Sequence, residues 1–183
     1  MANQNHILFG VLNWGLGHAT RSIPVINALL KKEFTVTIAS DGLALQLLQN
    51  EFPTAQFLAL KNPEIQYSKR GNQVFALAKS ALKIRRWYAE EQKTIKQFLA
   101  KNDVNGIITD NRPSVFSPNF PSVYITHQRN VQAGIFSGLA TAAHKMLYKK
   151  FTQIWVPDVE IQPKISGILG GKTTDKNVKL IGL

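Results

Sequence analysis

The sequence of 183 residues is 44% hydrophobic, and its 22 Lys and Arg residues against 11 Asp and Glu residues give a net charge of +11. This length and apolar content predict one globular domain with a sizeable core and exclude an intrinsically disordered chain. Because the sequence contains no Cys, disulfides and thiolate chemistry are excluded and a reducing compartment is favoured. The basic excess favours an anionic partner: a nucleic acid, an acidic bilayer or a phosphorylated ligand.

Short apolar runs alternate with helix-like periodicity along most of the chain. The predicted strands are Ile7–Leu12, Thr35–Ala39, Gln56–Leu60, Gly106–Thr109, Ser122–Thr126, Gln153–Val156 and Val178–Ile181. The predicted helices are Arg21–Lys32, Leu43–Asn50, Gln73–Lys101 and Val131–Lys150. Strands that alternate with helices are typical of an α/β fold. We therefore predict a Rossmann-like parallel sheet of about seven strands with helices on both faces.

A glycine-containing turn follows the first predicted strand. Gly15 and Gly17 lie in the turn, and His18 and Arg21 come directly behind it. Glycine lets a chain turn sharply and lets a ligand approach the backbone, and the helix start that follows attracts phosphate. A tight strand-to-helix turn alone would explain the glycines, but it would not explain the adjacent His and Arg. The pattern therefore favours a binding site.

A basic segment follows in the third predicted helix. Lys79, Lys83 and Arg86 surround Phe75 and Leu82, which fall off the expected core stripe of the helix. Apolar residues within a basic face are typical of a membrane-surface patch, and a solvated face that touches a neighbouring loop is the alternative. Nucleic acid is not the expected partner, because no nucleic-acid-binding module is legible and aromatic residues do not alternate with the basic ones.

The amino terminus and the apolar runs indicate a cytoplasmic protein. The segment MANQNH has no basic region ahead of the first apolar run, so we expect no signal peptide. No apolar stretch approaches the roughly 20 residues that a membrane-spanning helix needs. We expect a cytoplasmic location, with peripheral binding at the inner face of the plasma membrane through the basic patch.

The loops after the first, fourth and fifth predicted strands are expected to converge. With the common strand order 3-2-1-4-5, the order reverses between the first and fourth strands, and ligands bind beyond the carboxyl ends there. His18 and Asp110 would then face each other. A carboxylate bonded to one imidazole nitrogen leaves the other as a base for a substrate hydroxyl. The alternatives to functional roles are that Asp110 caps a turn and that His127 is a half-buried structural histidine. No spacing of His, Asp and Glu residues resembles a metal site.

Three motifs, in order, resemble the N-terminal half of GT-B glycosyltransferases, in particular bacterial members related to MurG and to the UDP-glycosyltransferases. They are Gly15–Arg21 (GLGHATR), Thr109–Arg112 (TDNR) and Tyr124–Gln128 (YITHQ). The resemblance implies that residues 1–183 form one Rossmann-like domain that binds the acceptor. It also implies a second, C-terminal Rossmann-like domain, absent from this sequence, that binds a nucleotide-sugar donor, UDP-linked in this group. No cofactor and no metal are required in that family.

The resemblance also implies residue roles. His18 is expected to be the general base, with Asp110 orienting it. Gly15, Gly17 and Gln128 are expected near a lipid diphosphate acceptor, where Arg112 and Arg129 would add phosphate contacts. The full set of predicted acceptor-binding residues is Gly15, Gly17, Arg21, Asn111, Arg112, His127, Gln128 and Arg129. The predicted function is sugar transfer to a hydroxyl of a lipid-linked or glycan acceptor of the cell envelope.

Other functions remain open at this point. In a dinucleotide-binding enzyme, Gly15 and Gly17 would hold the pyrophosphate of NAD or NADP and Asp41, after the second strand, would hold the ribose. Thr20 occupies the third glycine position of that pattern, which speaks against it. A non-catalytic module for anionic lipid and a carbohydrate-binding domain are the remaining alternatives.

Overall fold

The carboxyl ends of seven parallel strands define the edge of the molecule where the predicted site lies. The computed structural model describes residues 5–61, 73–126, 146, 149–158 and 177–182, with only the helix backbone for residues 73–81. In this part of the chain the strand order is β3-β2-β1-β4-β5-β6-β7. The strands are β1 His6–Val11, β2 Thr35–Ser40, β3 Gln56–Ala59, β4 Gly106–Asp110, β5 Ser122–Ile125, β6 Gln153–Val156 and β7 Val178–Leu180.

Three helices are described, α1 Gly17–Lys31, α2 Gly42–Glu51 and α3 Gln73–Leu99. The predicted strands and these helices are confirmed, but α1 begins about one turn earlier than predicted. Pro24 therefore lies inside α1 instead of in its first turn, where its missing N–H leaves one backbone carbonyl without its helical partner. The fourth predicted helix lies almost wholly outside the described residues.

Neighbouring side chains of a strand point to opposite faces of the sheet, and helices cover both faces. Side chains on both faces are therefore buried. In β1, Phe9 belongs to the core beneath α1 and α2, while Leu8 belongs to the core beneath α3. Both side chains are fully buried. Continuous apolar runs such as HILFGV are the sequence signature of this two-sided burial, which is why the strands could be predicted.

The order reverses between β1 and β4, which lie side by side in the middle of the sheet. Val11 pairs with Asp110 at the end of the register, and the amide of Leu12 donates to the carbonyl of Asp110 at 3.0 Å. Gly10 permits this close packing, because a β-carbon there would lie 2.8 Å from the side chains of Thr109 and Val115. The loops after β1 and β4 therefore leave the sheet next to each other.

Candidate active site

The two residues that the sequence placed on opposite sides of the crevice are in direct contact. Nδ1 of His18 lies 2.7 Å from Oδ1 of Asp110. Asp110 is the last residue of β4 and is fully buried, and His18 is 8% exposed in the first turn of α1. The predicted contact is confirmed, and it forms because β1 and β4 are neighbours.

The contact also determines which imidazole nitrogen could act as a base. Because a carboxylate oxygen can only accept, Nδ1 of His18 donates to Asp110 in the tautomer that carries its proton there. Nη2 of Arg21, which can only donate, then lies beside Nδ1 without a hydrogen bond to it. Nε2 is then the nitrogen that would take a proton from a substrate. This tautomer suits general base catalysis.

Arg21 and Ser22 hold the other side of the Asp110 carboxylate. Nε of Arg21 donates to Oδ2 at 2.5 Å, and Nη2 of Arg21 contacts both Oδ1 of Asp110 and Nδ1 of His18. Oγ of Ser22 donates to the backbone carbonyl of His18 at 2.8 Å and lies 3.4 Å from Oδ2. The spacings i, i+3 and i+4 place His18, Arg21 and Ser22 on one face of α1. The guanidinium of Arg21 binds Asp110, and a direct contact of Arg21 with an acceptor stays a prediction.

The two glycines of the turn have different structural requirements. Gly15 has φ +74°, a left-handed conformation that favours glycine, so the turn itself explains it. Gly17 has an ordinary φ, and among the described residues nothing lies within 4 Å of where a β-carbon would be. No side chain caps the start of α1 at Leu16, and the first turn carries no acidic residue. A ligand can approach this helix start closely.

Asn111 turns the chain between two charged side chains. Its φ of +52° is left-handed, a conformation that Asn adopts more readily than most residues. Tyr124 donates its hydroxyl to Oδ1 of Asn111 at 2.8 Å, and the hydroxyl of Thr126 lies 3.5 Å away. Asp110 consequently faces α1, whereas Arg112 faces α3. A direct contact of Asn111 with an acceptor stays a prediction.

Arg112 does not lie where the sequence predicted it. Its side chain is fully buried, and its Nε and Nη2 donate to the two carboxylate oxygens of Glu91 at 2.7 and 2.8 Å. Nη2 also donates to Oδ2 of Asp41 at 2.8 Å, and Nη1 donates to the carbonyl of Val11 at 3.1 Å. The predicted contact with an acceptor phosphate is wrong, because the guanidinium is enclosed by two carboxylates.

The charges in this cluster reinforce one another. Burial opposes the charged form of Arg112, but the hydrogen bonds and charges of Glu91 and Asp41 outweigh it, so the pKa of Arg112 is raised. The hydroxyl of Ser114 adds a hydrogen bond to Glu91 at 2.5 Å. Asp41 is 4% exposed and its Oδ2 is paired with Arg112, which speaks against its holding a ribose in the dinucleotide alternative.

Three further residues organise the site and were not predicted. They are Ser22 beneath Asp110, Glu91 beneath Arg112, and Asn13, whose Oδ1 accepts the amide of Ala44 at 3.2 Å at the start of α2. Glu91 carried a detectable signal, because an acid on the predicted core stripe of α3 requires a buried cation. Asn13 carried none.

The remaining predicted residues are described only in part. Leu82 is 59% exposed, and Lys83 and Arg86 are exposed beside it on α3, as either a membrane patch or a solvated face requires. The side chains of Phe75 and Lys79 lie outside the described part, as do His127, Gln128 and Arg129. Among the residues that are described, no group of three potential ligands could hold a metal ion. None of their helices is long and apolar enough to cross a membrane.

Comparison with known proteins gives one family match. A family model described as glycosyl transferase family 1 matches residues 5–145. No curated protein sequence matches the chain.

Several solved glycosyltransferase structures have the same fold. CalG4, the calicheamicin glycosyltransferase, superposes with a TM-score of 0.65 at 17% identity, over 98% of this chain and 53% of that one. MurG of Acinetobacter baumannii superposes with a TM-score of 0.52 at 17% identity, over 87% of this chain and 43% of MurG. UGT2 of Phytolacca americana, complexed with UDP-2-fluoro-glucose and pterostilbene, superposes with a TM-score of 0.58 at 14% identity. The match covers 98% of this chain and 54% of UGT2. The chain spans about half the length of these proteins, and its fold is that of one half of a GT-B glycosyltransferase.

Proposed function

Since the chain belongs to glycosyl transferase family 1, we propose that it is the acceptor-binding part of a glycosyltransferase and supplies the general base for sugar transfer. The observation that carries this proposal is the 2.7 Å contact between His18 and Asp110 at the point where the strand order reverses. Ligands of open parallel sheets bind at that point.

The proposed chemistry is a single displacement. Nε2 of His18 takes the proton of an acceptor hydroxyl while its oxygen forms a bond to the anomeric carbon of the donor sugar. The bond from that carbon to the nucleoside diphosphate breaks, and the diphosphate leaves with the electron pair. Asp110 keeps the imidazole in the required tautomer and stabilises the imidazolium that forms. One displacement inverts the configuration of the anomeric carbon.

The donor is proposed to be a nucleotide sugar, UDP-linked, that acts as a co-substrate without a further cofactor and without a required metal. Support comes from the family match and from the UDP-sugar named for the Phytolacca structure. Because the chain spans about half of its structural neighbours, we propose that a second domain binds this donor.

The acceptor is proposed to be lipid-linked or a glycan of the cell envelope, reached from the cytoplasmic face of an anionic membrane. The net charge of +11 and the exposed Leu82, Lys83 and Arg86 support this choice. The full-length protein should sediment with anionic vesicles at low salt and be released by salt. Charge reversal at Lys83 and Arg86 should weaken this binding, and unchanged binding would reject the patch.

The experiment that tests the proposed function is a transfer assay. The full-length protein is incubated with a panel of UDP-linked sugars and with lipid-linked or free glycan acceptors. We expect the acceptor to gain one hexose for each UDP released, with an inverted anomeric carbon, and transfer to depend on His18. A module for lipid or carbohydrate would bind without releasing UDP. Quenching of Trp fluorescence by NAD would favour the dinucleotide alternative.

Close approach of the acceptor to the start of α1 can be tested at Gly17. Replacement by Ala meets no described atom within 4 Å and should keep or slightly raise stability, by up to about 1 kcal/mol. We expect the acceptor KM to rise several-fold while kcat changes less, because the added methyl group occupies ligand space. Thermal melting and steady-state kinetics of the full-length enzyme measure both effects. An unchanged KM would place the acceptor elsewhere.

A further inference from the structure

The carboxylate of Asp110 accepts hydrogen bonds from two side chains at once. Oδ1 accepts from Nδ1 of His18 at 2.7 Å, and Oδ2 accepts from Nε of Arg21 at 2.5 Å. Nη2 of Arg21 reaches Oδ1 as well and lies 2.5 Å from Nδ1 of the imidazole. Arg21 therefore holds both oxygens of the carboxylate in a two-point contact that a lysine could not reproduce.

This arrangement differs electrically from a simple His–Asp pair. A lone carboxylate beside an imidazole favours the protonated imidazolium, and a neighbouring cation disfavours it. Two groups of opposite charge contact His18: Asp110 from β4 and Arg21 from α1 itself. Ser22, a further neighbour of the carboxylate, is neutral.

Building on the proposed role of His18 as the base, we propose that Arg21 is a positioning residue for the transfer reaction. It holds both oxygens of Asp110 and offsets their charge, so the carboxylate stays where it orients the imidazole. Arg21 touches neither donor nor acceptor in this role. It acts through Asp110 and His18.

The test is substitution of Arg21 in the full-length enzyme, with Arg21→Gln as the main variant. Gln retains a hydrogen-bond donor for Asp110 but removes the charge. Histidine carbon-13 NMR should show the His18 ring titrating at a higher pH in the variant than in the unsubstituted enzyme, because removal of a neighbouring cation favours the imidazolium. The acidic limb of the kcat profile should move to higher pH by the same amount, while kcat on the alkaline plateau falls less.

Two further variants complete the design. Lys31→Gln removes one charge from the last turn of the same helix and should leave the His18 titration unchanged. Arg21→Lys keeps the charge but loosens the two-point contact, so its shift should be in the same direction and smaller. If Arg21→Gln does not fold, Arg21→Lys provides the test in its place. An unshifted His18 titration in a folded Arg21 variant overturns the proposal, because a purely structural arginine would lower kcat equally at every pH.

The NMR titration separates this proposal from the proposed function. If His18→Ala retains full transfer activity, the base assignment fails whatever Arg21 does. If His18→Ala is inactive but the His18 ring titrates at the same pH with and without the Arg21 substitution, the base assignment stands and the role of Arg21 fails.

Discussion

Replacement of His18 by Ala in the full-length enzyme should lower kcat by roughly 10²–10⁴-fold, the usual contribution of general base catalysis. The variant should fold, because Asp110 keeps its bonds to Arg21 when the imidazole is removed and no buried charge is left without a partner. Steady-state kinetics with saturating donor measure the loss, and circular dichroism verifies the fold. Thr20→Ala, at an exposed position of the same helical turn, is the matched control and should keep kcat within about threefold.

A double-mutant cycle tests whether His18 and Asp110 act as one unit. Asp110→Asn keeps the size of the side chain but loses the charge that stabilises the imidazolium. This single substitution should therefore lower kcat by a large part of the factor that is lost in His18→Ala. In a His18→Ala background the same change should cost little, because residues that act together are strongly non-additive. Two losses that simply multiply in folded variants would separate the residues and return Asp110 to the role of a turn cap.

Replacement of Arg112 by Met should lower the free energy of unfolding by about 3–5 kcal/mol, the cost of breaking a buried ion pair by removing one partner. The substitution leaves Glu91 and Asp41, which are 3% and 4% exposed, facing each other without a cation. For a domain of this size the loss corresponds to a melting temperature lower by about 6–20 °C. Urea unfolding followed by circular dichroism measures it.

The surrounding residues supply the controls for Arg112. Lys93→Met removes an exposed cation from α3, the helix that carries Glu91, and should change stability by less than about 0.5 kcal/mol. Adding Glu91→Gln to Arg112→Met removes one orphaned charge and should recover part of the loss. A native-like Arg112→Met variant that loses less than about 1 kcal/mol would show that the cluster contributes little to folding.

The sequence by itself determined the sheet and the central contact of the site. Strands buried on both faces are continuous apolar runs, and alternation with helices implies parallel pairing, so the strands and their parallel pairing followed from local pattern. The order 3-2-1-4-5 was assumed as the common one, and the structure has it. The rule that ligands bind where strand order reverses then placed the loops after β1 and β4 together. That reasoning was sufficient to bring His18 to Asp110.

Only the tertiary structure decided which charges pair. Arg112 binds Glu91 and Asp41, which lie 21 and 71 positions away in the sequence, and local periodicity carries no information about such distant partners. The early start of α1 has the same origin. Packing of its first turns against β4 buries His18 and Ser22, and this tertiary contact outweighs the cost of Pro24 in the helix interior. Arg21 thereby binds Asp110, because the extended helix places it one turn beyond His18 on the same face.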